Sequence, residues 1–204
     1  MRTQNLTPGG YAANCYLLTK GKTAILIDPT CPAATLEKAL AESGATLAAI
    51  LLTHGHFDHM LTVAEIKAKT NAPIYLGRGD YDLPANGEKN AFAVFFGFDR
   101  TYPNADRLLQ DGEVLTLGEI TLTVREAPGH TRGSLLYLTD GLAFTGDTVF
   151  AAGYGRYDLY GGDATALKAS LDALRALPRN TVIYPGHGES ATLGAALDAL
   201  AYLY

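Results

Sequence analysis

Cysteine is scarce in this chain, and no apolar run is long. The two cysteines among 204 residues, Cys15 and Cys31, form no CxxC pair and are too few for a disulfide framework. They read as buried free thiols in a reducing cytoplasm. No stretch of about 18 uncharged apolar residues occurs, so no transmembrane helix and no membrane partner are expected. The opening MRTQNLTPGGYAANCYLL has no long apolar run after its one arginine, so it does not read as a secretory signal. Basic residues are also few: 16 Lys and Arg against 21 Asp and Glu leave a net charge of −5. A general nucleic-acid binder needs a basic face for phosphates, so that class is disfavoured. Internal repeats, low-complexity segments and linkers are missing, and one domain over residues 1–204 is expected.

What is present is globular: 48 % hydrophobic and 18 % charged residues, enough to bury a sizeable core. NCYLLT and TAILID read as strands joined by the turn Lys20-Gly21-Lys22. Residues 33–43 follow a proline and fit a helix that Gly44 caps. AAILLT (48–53) is a continuous apolar run, as in a strand covered on both faces. Residues 62–69 fit a helix, and APIYLG another strand. The apolar run AFAVFFGF (91–98) reads as core, although a cover over a site or a dimer contact also fits. Hairpins are expected at Gly118-Glu119 and at Asp140-Gly141. Residues 164–177 fit a helix ended by Pro178, TVIYPG a buried strand, and SATLGAALDALAYLY a closing helix. Strands and helices, then strands and helices again, point to an α/β chain of two sheets with helices outside.

The chain has five histidines, and three fall within THGHFDH, from Thr53 to His59. In an extended segment, residues i and i+2 face the same side, so His54 and His56 can face one metal ion. Asp58 and His59 diverge from them and can serve a second ion. Imidazole with carboxylate suits zinc, and also iron or manganese. His130 in APGHTRGS, Asp147 in FTGDT and His187 in YPGHGE each follow a glycine at a strand end. One ion could take His54, His56 and His130, a second Asp58, His59 and His187, with Asp147 between them. Each ion then keeps an open position, as in catalytic sites. A water held by two ions about 3.5–4 Å apart becomes a hydroxide nucleophile near neutral pH. Asp28, in ILIDPT, reads as a carboxylate that either orients a ligand histidine or caps its loop, the former favoured.

These residues resemble the metallo-β-lactamase superfamily, whose HxHxDH signature is His54-Gly55-His56-Phe57-Asp58-His59 here. Its later histidine, bridging aspartate and final histidine correspond to His130, Asp147 and His187. The resemblance implies a four-layer αββα sandwich of two mixed sheets with two divalent metal ions at one edge. It implies catalytic roles for Asp58 and Asp147 and a metal-bridging hydroxide as nucleophile.

Within the superfamily, PGHTRGS, YPGHGE and the loop FAAGYGRYDLYGGD (150–163) resemble glyoxalase II-like hydrolases. Those enzymes hydrolyse the thioester S-D-lactoylglutathione to D-lactate and glutathione. Tyr154, Arg156 and Tyr157 are the candidate substrate contacts. Full-length glyoxalase II carries a helical C-terminal glutathione-binding domain, whereas only about 17 residues follow His187, as in the short members. Asp158 stands where full-length enzymes carry a glutathione-binding tyrosine, and a carboxylate repels an anionic tripeptide. Alternatives are a one-iron persulfide dioxygenase and a hydrolase of another ester, lactone or phosphoester. A metal-stabilised binding module without catalysis is a further class. The expected partner is a small acyl compound, on a monomer or homodimer.

Overall fold

A computed structural model describes residues 1–201; residues 202–204, the end of the expected closing helix, lie outside the described part. The first half supplies β1 (Arg2–Asn5), β2 (Tyr16–Lys20), β3 (Thr23–Ile27), β4 (Thr46–Leu51), β5 (Ile74–Gly77) and β6 (Arg107–Leu109). They form one mixed six-stranded sheet in chain order. The second half supplies β7 (Val114–Leu117), β8 (Ile120–Glu126), β9 (Leu135–Thr139), β10 (Leu142–Gly146), β11 (Val182–Pro185) and β12 (Ala191–Thr192). They form a second sheet in the order β12-β11-β10-β9-β8-β7. The helices are α1 (Ala33–Ser43), α2 (Val63–Thr70), α3 (Phe92–Phe96), α4 (Ala164–Ala173) and α5 (Leu193–Leu200).

Side-chain alternation along the strands explains the layers. Successive residues of a strand face opposite sides of its sheet. On β2, Tyr16 and Leu18 join a core with Ile25, Ile27, Val124, Tyr137 and Phe144, which fills the space between the sheets. Leu17, between them, turns outward to a core shared with Leu26, Leu36 of α1 and Ile66 of α2. Leu136 and Ile183 likewise turn outward to Leu167 and Leu171 of α4 and Leu197 of α5. The inner strands β2, β3, β9 and β10 are therefore covered on two faces, which is why they read as continuous apolar runs, whereas β8 alternates between the core and the surface.

The turn chemistry follows the sequence. Gly44 caps α1 with φ of 62°. Asp140 and Gly141 both take positive φ, 43° and 77°, as a two-residue type I′ hairpin turn requires. The closing segment starts differently from its expectation: Ala191–Thr192 pair with β11, and Thr192 then caps α5 through its hydroxyl, which accepts from Ala195 N. The strands β1 and β6 have no counterpart in the sequence reading; both are short edge strands, and β1 has no fully buried face.

Strand direction sets where the site lies. β10 and β11 are parallel, and β8 runs the same way because β9 is antiparallel to both of its neighbours. The C-terminal ends of β8, β10 and β11 therefore share one edge, and His130, Asp147 and His187 follow those ends. β4 delivers Thr53 and His54 to the same edge, where Leu135 N donates to Thr53 O at 2.8 Å.

Candidate metal centre

All seven residues singled out by the sequence meet at this edge. His54, His56 and His130 offer one group of ligand atoms, Asp58, His59 and His187 another, and His54, His59 and Asp147 a third between them. The atoms of each group lie within 4.8 Å of one another. His130 Nε2 is 2.9 Å from His56 Nδ1 and 3.1 Å from His54 Nε2. Asp147 stands in the middle: Oδ1 is 3.3 Å from His59 Nε2, while Oδ2 is 3.7 Å from His130 Nε2 and 3.6 Å from His187 Nε2. Asp58 Oδ2 lies 3.2 Å from His187 Nε2.

The polar partners of the donor set show how it fits metal ions. His59 Nε2 and Asp147 Oδ1 are buried and close, yet their geometry makes no hydrogen bond, and neither has another hydrogen-bond partner among the described residues. Unpaired buried polar atoms are costly, and a divalent cation between them would satisfy both. The outer ring nitrogens are already used. His130 Nδ1–H donates to the Arg156 carbonyl at 2.6 Å, and His59 Nδ1–H to Asp28 Oδ2 at 2.8 Å. Each bond points Nε2 inward, the orientation that metal ligation needs. The residues fit divalent metals.

Electrostatics agree with that division. Burial, reinforced by neighbouring imidazoles, pushes His54 well below the usual histidine value and His56 down to about 3. Both are neutral and ready to ligate. Burial also acts against a charge on His59, but Asp28, Asp147 and Asp58 outweigh it and hold this imidazole well above its ordinary value. Burial opposes ionisation of Asp58 and Asp147 as well; the histidines, His59 first, outweigh it and keep both carboxyls low.

Two carboxylates outside the centre fix its loops. Asp28 accepts from Thr53 N and Thr53 Oγ, both at 2.8 Å, as well as from His59. Asp80 is fully buried and was not singled out in the sequence. Its Oδ2 accepts from Gly55 N at 2.9 Å and Thr131 Oγ at 2.7 Å, and its Oδ1 from Gly133 N at 2.7 Å. It therefore ties the loop carrying His54 and His56 to the loop carrying His130. Nothing in GRGD signals this, because burial of a carboxylate is set by distant contacts. Asp80→Ala leaves two buried N–H groups without acceptors and is expected to cost about 2–4 kcal/mol in denaturant unfolding. Misplacing both loops should also lower metal affinity by roughly 10–100-fold in a competition titration.

Glycine gives the close approach at the final histidine. A Cβ on Gly186 would stand 2.2 Å from Asp147 Oδ1 and 2.6 Å from His59 Cε1. Any side chain there would enter the centre.

The centre opens into a cleft of about 350 Å³ walled by Tyr11, Phe57, Phe95, Phe96, Arg156 and Leu159. Of the three expected substrate contacts, Arg156 lies on this wall. Tyr154 and Tyr157 line a neighbouring hollow beside Thr165 and Lys168 of α4, because Tyr154 is drawn onto the apolar layer beneath that helix. The apolar run 91–98 also departs from its core reading. Phe92 is buried, but Val94, Phe95, Phe96 and Phe98 are 62, 54, 42 and 62 % exposed. The short helix α3 gives the run one inward face and puts Phe95 and Phe96 at the cleft, while Phe98 lines a separate hollow beside Asp99.

The sequence profile of the metallo-beta-lactamase superfamily matches residues 8–187. The chain belongs to this superfamily. The probable metallo-hydrolase YqgX of Bacillus subtilis (strain 168) is 32 % identical over 191 residues, covering 92 % of this chain and 90 % of that protein. The hydroxyacylglutathione hydrolase of Dechloromonas aromatica (strain RCB) is 37 % identical over 172 residues, covering 84 % of this chain but 56 % of that protein. Among solved structures, the BLEG-1 B3 metallo-beta-lactamase superposes with a TM-score of 0.92 at 33 % identity, covering 99 % of both chains. The two mixed sheets with flanking helices are this superfamily's fold, and its members include metal-dependent hydrolases.

Proposed function

We propose that the protein is a two-metal thioester hydrolase, glyoxalase II-like in its chemistry, with zinc as its metal. The observation that carries this is the Asp147 carboxylate, set between the His54–His56–His130 group and the Asp58–His59–His187 group. Bound divalent ions would supply Lewis acidity, making water nucleophilic near neutral pH and polarising a carbonyl. The protein's own residues do the rest. His130 is held by the Arg156 carbonyl and His59 by Asp28, so the ligands are oriented beforehand. Asp58 and Asp147 stay ionised and would balance the ions' charge. The aromatic wall would keep bulk water from the reacting carbonyl. The Dechloromonas aromatica relative supports the thioester class.

Two buried free thiols fit a cytoplasmic setting. Among the described residues no helix is long and apolar enough to cross a membrane. A small acyl compound is the proposed partner of the cleft, with no nucleic acid.

The test is an assay of the purified, metal-analysed chain against S-D-lactoylglutathione and neutral N-acetylcysteamine thioesters. Hydrolysis of at least one thioester by zinc-loaded protein is expected, and zinc-loaded protein inert to all of them would overturn the reading. Chelation should abolish the activity, and the ligand geometry should loosen with it. A fall in melting temperature on chelation, restored by zinc, is therefore expected in scanning calorimetry. Metal uptake should weaken as pH falls, since His59 must give up its proton to ligate.

A further inference from the structure

The wall of the cleft carries more information than its chemistry alone. Tyr11 lies 5.9 Å from Phe96 between ring centroids, and Phe57 lies 5.6 Å from Phe96 and 5.8 Å from Phe95. Phe57 sits between His56 and Asp58, so this aromatic surface runs unbroken from the candidate metal ligands outward. Tyr11, Phe95 and Phe96 are 61, 54 and 42 % exposed, an apolar patch that water covers poorly.

Arg156 is the one arginine or lysine on the wall of this cleft among the described residues, and it is already engaged. Its Nε donates to Asp158 Oδ1 at 2.6 Å and its Nη2 to Oδ2 at 2.7 Å, while the guanidinium carbon lies 5.8 Å from the Phe95 ring centre. A bidentate carboxylate uses the fork that would otherwise grip a substrate carboxylate. The pair is charged at working pH, because the arginine holds the Asp158 carboxyl down to about 2.

We propose that the cleft selects uncharged thioesters bearing an aromatic group, with Phe95 and Phe96 as the receiving wall and Asp158 as the specificity-determining residue that cancels Arg156. The inference rests on the hydrolase reading for the reaction, but not for binding. Base it on a matched pair: S-benzyl-N-acetylcysteamine and S-benzylglutathione carry the same aromatic group, and only the second carries peptide charges. Neither is hydrolysed. Calorimetry with the metal-loaded full chain should find the neutral thioether bound at least fivefold more tightly. Phe95→Ala and Phe96→Ala should each weaken that binding severalfold; both side chains are exposed, so folding is not at stake. Asp158→Asn frees Arg156 and should shift the ratio about tenfold toward S-benzylglutathione. With hydrolysable counterparts, that variant should move KM for S-D-lactoylglutathione while kcat holds.

Tighter binding of S-benzylglutathione by the unmodified protein, or an unchanged ratio in Asp158→Asn, would overturn the proposal. If the neutral thioether binds as expected but no thioester is cleaved, the hydrolase reading fails and the selectivity stands. If S-D-lactoylglutathione is cleaved in preference to phenylacetyl-N-acetylcysteamine, the reverse holds.

Discussion

Asp147→Ala is expected to lower kcat/KM for thioester hydrolysis by about a thousandfold, equivalent to roughly 4 kcal/mol of transition-state stabilisation. The size follows from its position. One oxygen faces His59 and the other faces both His130 and His187, so no other carboxylate within the seven residues reaches both groups as closely. Removing it would take a ligand from both proposed ions, and it leaves His59 Nε2 without its nearest anion. Metal content after dialysis should fall with activity, whereas the far-ultraviolet circular dichroism should hold, because Asp147 lies outside β10 and makes no backbone hydrogen bond through its side chain. Asp147→Ala protein with full activity and two bound ions would remove this carboxylate from the mechanism. Asp58→Ala should produce a smaller loss with the same sign, since Asp58 contacts only the second group.

Asp28→Ala carries the second large effect, and it falls on stability as well as on the metal centre. Asp28 is buried, pairs with His59 and accepts from both the backbone and hydroxyl of Thr53. Breaking a buried pair of this kind costs about 3–5 kcal/mol, because the remaining partners are left uncompensated. Loss of the bond that orients His59 should reduce affinity at the second metal position by roughly 10–100-fold. The backbone sharpens the choice of control: Asp28 has φ of 52°, a region that Asn tolerates and Ala does not. Asp28→Asn therefore separates loss of charge from loss of backbone fit.

The pH dependence has a definite sign. In metal-free protein the raised His59 value contributes stability that is fully present below about pH 6.5, the unfolded value, and is lost as pH rises through the folded one. The stability gap between wild type and Asp28→Asn should be widest on the acidic side of neutrality and narrow as pH rises. Chemical denaturation across that range measures it.

The sequence was most legible where a local rule and a buried role coincide. Gly44, Asp140-Gly141 and the continuous apolar runs of β2 and β3 each fix their own backbone, and the structure keeps them. The clustering of the seven ligand-type residues was legible because His130, Asp147 and His187 follow strand ends while His54, His56, Asp58 and His59 crowd the single loop after β4, and these include all five histidines. Asp80 escaped because its partners lie 25 to 53 positions away. The run 91–98 misled because a five-residue helix shows too little periodicity to reveal that one face is buried and the other open. Tyr154 misled in the opposite sense, since an aromatic in a glycine-rich loop reads as exposed until a helix is found to pack on it.

Metal titration of hydrolysis tests the central claim most directly. Chelated protein is mixed with increasing zinc, and the initial rate of cleavage of the best thioester is followed. The rate should start near zero and rise to a plateau at two equivalents of zinc per chain. A rate that is insensitive to chelation, or that saturates at one equivalent with Asp58→Ala unimpaired, would contradict the two-metal account.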